Sequence, residues 1–132
     1  MAAVLVPELT VSDIGRSLAF YCGVLGFGLR YQRVDEGFAF VDIAGAGLML
    51  DQLGLGRDWV TGALEPPFGR GVNFQFELDD LEPLLQRLAE GRITPFVPVE
   101  TRTYAVGDRQ VTQRQCCVQD PDGYLLRFCE SI

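Results

Sequence analysis

Histidine is missing from all 132 residues of this chain. That absence removes the side chain most often used as a general base near neutral pH and as a transition-metal ligand. Cysteines are few, and Cys22, Cys116, Cys117 and Cys129 show no C-x-x-C spacing. With no secretory signal to place them in an oxidising compartment, they read as free thiols behaving as small core hydrophobes. The adjacent pair Cys116 and Cys117, in a strand, would point to opposite faces and could not clamp one metal. No apolar run approaches a membrane span. The stretch Met1 to Val6 lacks basic residues and soon meets Glu8, so neither a signal peptide nor an anchor is expected, and a cytoplasmic location is. Basic residues are outnumbered 11 to 18, for a net charge of −7. Nucleic-acid phosphates and anionic lipid surfaces are therefore not expected partners, whereas a cationic ligand is modestly favoured. Nucleophile signatures are also missing: there is no G-x-S-x-G and no cysteine with an evident base partner. The short Gly45-x-Gly47 and Gly54-x-Gly56 loops lack the strand–loop–helix setting of a nucleotide site.

What is present is a folded, single-domain composition, 48% apolar and 22% charged. Alternation over Val4 to Val11 predicts a strand, and Ser12-Asp13 predicts a helix start. Ile14, Leu18, Cys22 and Leu25 then recur at helical spacing until Gly26. Three strand-like segments follow, about Phe27 to Val34, Phe38 to Ile43 and Leu48 to Leu53, separated by Asp35-Glu36-Gly37 and Gly45-Ala46-Gly47. The order then repeats. Val72 to Leu78 alternates, Asp79-Asp80 caps, and Leu81, Leu84, Leu85 and Leu88 form an apolar stripe with Pro83 in the first turn and Gly91 at the end. Strands are expected at about Ile93 to Thr101, Val111 to Gln119 and Tyr124 to Cys129. Aligning Asp13 with Asp80 superposes Val11 on Leu78, Ile14 on Leu81 and Leu18 on Leu85, so the chain reads as one βαβββ unit used twice. Module one covers about 1–53 and module two about 72–132. The connecting segment 54–71 carries Trp59, Leu64 and Phe68, which suits a flap or contact loop better than a free linker.

The strand faces differ in chemistry. Pro7, Leu9 and Val11 share an apolar face and Val6, Glu8 and Thr10 oppose them. In the second module Val72, Phe74, Phe76 and Leu78 oppose Asn73, Gln75 and Glu77. The turn Asp120-Pro121-Asp122-Gly123 launches a last strand whose Arg127 lies away from Leu126 and Phe128. Three strands thus offer polar groups to the side away from the helices, either as a solvated sheet face or as the floor of a binding hollow. Candidate pocket aromatics are Phe38, Phe40, Trp59, Phe68 and Tyr104. Asp42 alternates with Phe38 and Phe40, and Asp51 with Met49, so both carboxylates are expected over the same hollow. Glu8 or Glu77 is the expected partner of Arg127, because a buried guanidinium needs one. Pro7, unable to donate to a ladder, marks the first strand as an edge or an exchanged arm.

The whole layout resembles the vicinal oxygen chelate superfamily, which includes glyoxalase I, extradiol dioxygenases and bleomycin-resistance proteins. The segments that carry the resemblance are Leu9-Thr10-Val11-Ser12-Asp13-Ile14 with Ser17 to Tyr21, Leu25-Gly26-Phe27, Val72 to Leu81, and Asp120 to Gly123. The resemblance implies an α+β fold in which two βαβββ modules form curved, barrel-like mixed sheets with helices outside. Metal-dependent members carry ligands at positions that match Val6, Asn73 and Arg127 here. Valine has no lone pair to offer, a guanidinium stays protonated and repels cations, and a lone amide is a poor ligand. No metal, cofactor or catalytic residue is therefore expected, with a hard-ion site from Glu8, Glu77 and water as the alternative left open. Within the family the chain most resembles the bleomycin-resistance branch. That implies a homodimer sequestering a bulky cationic or aromatic ligand, such as bleomycin, in an interface groove. The candidate ligand-binding set is Glu8, Phe38, Phe40, Asp42, Trp59, Phe68, Asn73, Gln75, Tyr104 and Arg127. Two alternatives stand beside this reading. One is a metal-dependent lyase or dioxygenase. The other is a binder of an unrelated metabolite, with Arg127 anchoring a ligand carboxylate.

Overall fold

The computed structural model describes residues 4–132. Among them run β1 (Glu8–Val11), α1 (Ile14–Leu18, continued by a π-helical stretch Ala19–Val24), β2 (Gly28–Arg33), β3 (Phe38–Ile43) and β4 (Ala46–Gln52). The second unit comprises β5 (Asn73–Glu77), α2 (Glu82–Glu90), β6 (Val97–Val106), β7 (Arg109–Gln119) and β8 (Leu125–Ser131). The two βαβββ units build two four-stranded sheets of orders β1-β4-β3-β2 and β5-β8-β7-β6. In each unit the first strand pairs parallel with the last, and the remaining pairs are antiparallel. The crossover helix is what permits that parallel pairing. The α+β class and the repeated module are as the sequence predicts. The sheets are not closed into a barrel, since each ends on its own edges, β1 and β2 in one and β5 and β6 in the other. Pro7 lies just before an edge strand, where its missing N–H costs no ladder bond.

Period-two alternation places Leu9, Val11, Val41, Leu48 and Leu50 on one face of the first sheet. Phe76, Cys116, Val118, Leu126 and Phe128 occupy the matching face of the second. Tyr21 and Leu25 from the first helical segment and Leu84 and Leu88 from α2 join them in a single buried cluster. Phe27 stitches the modules together, meeting Tyr21 edge-to-face at 5.2 Å and Phe76 at 5.5 Å. The opposite, polar faces are left to form the site.

Three local departures have physical causes. The Asp13 side chain caps α1 by accepting from the Arg16 N–H, but the helix widens after Leu18. The wider turn moves the fully buried stripe to Ser17, Tyr21 and Leu25 and leaves Ile14, Leu18 and Cys22 half-buried. At α2 the N-cap position is Leu81, while Asp80 accepts from the Glu82 N–H just ahead of the helix. Finally, β6 and β7 are longer than the hydrophobic pattern indicates and meet at a tight turn around Gly107. The polar run from Arg102 to Gln110 hides a hairpin whose side chains largely face water. No helix among the described residues is long and apolar enough to cross a membrane.

Candidate functional site: two polar hollows

Cross-strand register assembles the first hollow. Arg33 stands opposite Phe38, Phe38 opposite Asp51, and Asp51 opposite Thr10. The adjacent row runs Tyr31, Phe40, Met49, Glu8. These residues project from the face opposite Ala39, Val41, Leu48 and Leu50, so apolar burial on one side aims them outward on the other. The segment after β4 folds over them and supplies Arg57 and Trp59 as a wall. The resulting cavity of about 350 Å³ is lined by Glu8, Tyr31, Phe38, Asp51 and Trp59, among others.

Its electrostatics are distinctive. Asp51 is only 9% exposed, and no donor among the described residues lies within hydrogen-bond distance of its carboxylate. Burial, with the nearby Asp58 and Glu36 charges, raises its pKa, and Arg33 opposes that rise. Glu8 is raised as well, by burial first and by Asp51 second. Two aromatic faces are covered by the protein's own cations. The Arg33 guanidinium lies 3.8 Å from the Phe38 ring centre, and that of Arg57 lies 4.2 Å from Trp59.

A second cavity, about 490 Å³, opens on the polar face of the other sheet and shares no residue with the first. Gln75, Glu77, Tyr104, Arg109, Gln113 and Arg127 line it, with Val106 and Val111 as apolar wall. The Arg127 guanidinium donates to the Gln75 side-chain carbonyl, and its Nε–H is buried without a partner among the described residues. No carboxylate among the described residues pairs with it. The expected neutralisation of Arg127 by Glu8 or Glu77 is therefore not formed, because Glu8 stands in the other hollow and Gln75, level with Arg127 across β5 and β8, takes the contact first.

The structure thus divides the candidates. Glu8, Phe38 and Trp59 share the first hollow, and Gln75, Tyr104 and Arg127 share the second. Phe40 stacks on Tyr31 at 5.6 Å, beside the first cavity. Asp42 does not join Asp51: it lies farther along β3 and pairs with Arg30 at 2.6 Å. Phe68 is buried against Tyr124 and faces neither cavity. Asn73 is exposed at the start of β5 and lines neither cavity. Sequence reasoning missed Tyr31, Arg33, Arg57, Arg109 and Gln113. Tyr31 and Arg33 alternate along β2 and were findable from register alone; the others depend on loop and hairpin geometry.

The positions matched to metal ligands do not fit an ion. Arg127 is a permanent cation held by an amide, Asn73 stands apart from both cavities, and Val6 offers no donor. Glu8 and Glu77 line different hollows and cannot share a hard ion within one chain.

Comparison with known proteins follows the geometry. The family model described as Glyoxalase/Bleomycin resistance protein/Dioxygenase superfamily matches residues 3–128. Glyoxalase domain-containing protein 4 of Rattus norvegicus is 32% identical over 130 residues, covering 95% of this chain and 40% of that protein. The chain therefore spans about two-fifths of the length of that curated relative. A solved glyoxalase/bleomycin resistance protein/dioxygenase superfamily member from Vibrio splendidus 12B01 is 40% identical, with 96% of this chain and 97% of the other covered and a TM-score of 0.43. TioX from Micromonospora sp. ML1 shares the fold at a TM-score of 0.74 and 19% identity, with 99% and 100% covered.

Proposed function

Since the chain belongs to the glyoxalase/bleomycin resistance protein/dioxygenase superfamily but lacks a donor set for its metal, we propose that it is a metal-free small-molecule-binding protein of bleomycin-resistance type. In this reading it sequesters a bulky cationic or aromatic ligand without turnover. The observation that carries the reading is Asp51, a largely buried residue in an aromatic-walled cavity whose carboxylate accepts no hydrogen bond and forms no ion pair among the described residues. A largely buried, unpaired carboxylate is costly, and a ligand ammonium or guanidinium would remove that cost, taking the place of Arg57 over Trp59. The first hollow is open to one side, and a second copy of the chain laid over it would complete a groove of the kind this branch uses. Glu8 and Glu36 add negative charge beside Asp51, three carboxylates against the Arg33 and Arg57 guanidiniums of the same lining, and the net charge of −7 speeds encounter with a cation.

Trp59 is the single tryptophan, so its fluorescence reports this hollow alone. Titration with metal-free bleomycin is expected to give a saturable change, at least about tenfold weaker in Asp51→Asn, as for loss of a charge-assisted contact. No saturable change at high micromolar ligand would overturn the reading.

A further inference from the structure

We infer that the second hollow is an oxyanion site, built to take the carboxylate or phosphate of a small organic molecule, with Arg127 as the anchor. The inference rests on the direction of its hydrogen bonds and is independent of the cation reading of the first hollow.

Glu100 starts the sequence of constraints. A carboxylate only accepts, so the Gln115 group that meets Glu100 at 2.9 Å must be its amide nitrogen. The same nitrogen also donates to the Tyr104 hydroxyl at 2.7 Å. Gln115 therefore turns its carbonyl the other way, where it accepts from Gln113 at 3.0 Å. Both Gln113 and Gln115 are buried, so these orientations are not shared with bulk water. Two consequences follow. Tyr104, having accepted, keeps its O–H proton free to donate, and Gln113 keeps its second amide N–H.

Arg127 imposes the same polarity across the cavity. It can only donate, so the Gln75 carbonyl must face it and the Gln75 amide nitrogen faces away. One guanidinium N–H is spent on Gln75, and the Nε–H has no acceptor among the described residues. Arg30, Arg33 and Arg114 pair with carboxylates within 2.8 Å; among the described arginines without such a pair, only Arg127 has a buried N–H with no acceptor. Arg109 adds a second positive charge to the lining. Against these donors stand the Glu77 carboxylate, the Gln113 carbonyl and the Ser131 hydroxyl, which can accept or donate. The cavity thus carries two guanidinium charges against one carboxylate and a surplus of directed N–H and O–H groups. Tyr104, Val106 and Val111 supply the wall for an apolar or aromatic body. A planar or tetrahedral oxyanion is the group that uses a guanidinium fork together with a phenol O–H.

The test is titration of the isotope-labelled full chain with benzoate and with phenyl phosphate, using benzamide as the uncharged control. Binding is followed by NMR at the arginine Nε–H and glutamine side-chain amides. The expected result is saturable shifts at Arg127, Gln75 and Gln113 for at least one oxyanion, with benzamide at least about tenfold weaker. The tighter of the two anions identifies carboxylate or phosphate as the natural head group. Arg127→Gln should weaken the anion at least about tenfold and Tyr104→Phe about threefold, while Glu77→Gln should tighten it by removing the opposing charge. Equal binding of benzamide, an unchanged affinity in folded Arg127→Gln, or weaker anion binding in Glu77→Gln would each overturn the proposal. If Arg127→Gln does not fold, Tyr104→Phe and Glu77→Gln decide it. The Trp59 signal of the first hollow is a separate readout, so either site can fail without the other.

Discussion

The hydroxyl of Tyr21, in the π-helical segment of the first module, donates a 2.8 Å hydrogen bond to the Asp120 carboxylate at the turn that starts the last strand of the second. The other oxygen of Asp120 accepts the backbone N–H groups of Asp122, Gly123 and Tyr124. Asp122 in turn accepts the Ser12 backbone N–H and hydroxyl. The Asp-Pro-Asp-Gly turn is thus a clamp between modules as well as a launch point for β8.

Tyr21→Phe should cost about 1–3 kcal/mol in denaturant unfolding, because it leaves a buried carboxylate short of one donor. An unchanged midpoint would show that the clamp does not couple the modules.

Gly123 sits at φ +105, and a Cβ there would lie 2.4 Å from Pro67 Cβ and 2.6 Å from its Cα. Backbone conformation and a backbone clash therefore both oppose a side chain. Gly123→Ala should lose at least about 2 kcal/mol of stability by the same measurement, whereas Gly62→Ala, with open space around it, should lose little.

Acid titration has a defined sign. Glu8, Asp51 and Asp120 all have pKa values raised above their ordinary ones, each chiefly by burial. A raised carboxylate pKa means the native state binds more protons than the unfolded chain between the two values. In that window these groups make stability fall as pH rises, and mild acidification from neutral relieves their cost. Unfolding free energy should accordingly rise as pH drops from neutral into the range just above ordinary carboxylate values. Asp51→Asn should be more stable than the parent at neutral pH and should show a smaller rise. A parent chain that only loses stability over that interval would contradict the assignment.

Thiol chemistry should be confined to one residue. Burial pushes the Cys116 thiol up to about 11, and Cys117 and Cys129 are raised and buried. Cys22, half-buried on the first helical segment, is the accessible thiol of the four. Native alkylation near neutral pH should label Cys22 slowly and the other three only after unfolding, as mass spectrometry of peptides would show.

Sequence alone was enough to establish the duplicated module and the strand faces. Periodicity of two or of about 3.6 is written into the order of side chains, and ligand chemistry into their identity. It also put Arg127 on a polar face with Gln75. What it could not decide was grouping. Alternation put Asp42 and Asp51 on one face, but only strand register moved Asp42 down β3 to Arg30 and left Asp51 unpaired in the first cavity. One list of candidate residues became two hollows because cavities form where separate strands curve and loops fold back, as Trp59 and the β6–β7 hairpin do. Hydrogen-bond direction was likewise a tertiary matter. The Gln113, Gln115, Tyr104 relay exists because Glu100 reaches Gln115 across a bulged strand pair, and no spacing in the chain encodes which end of an amide will face a ligand.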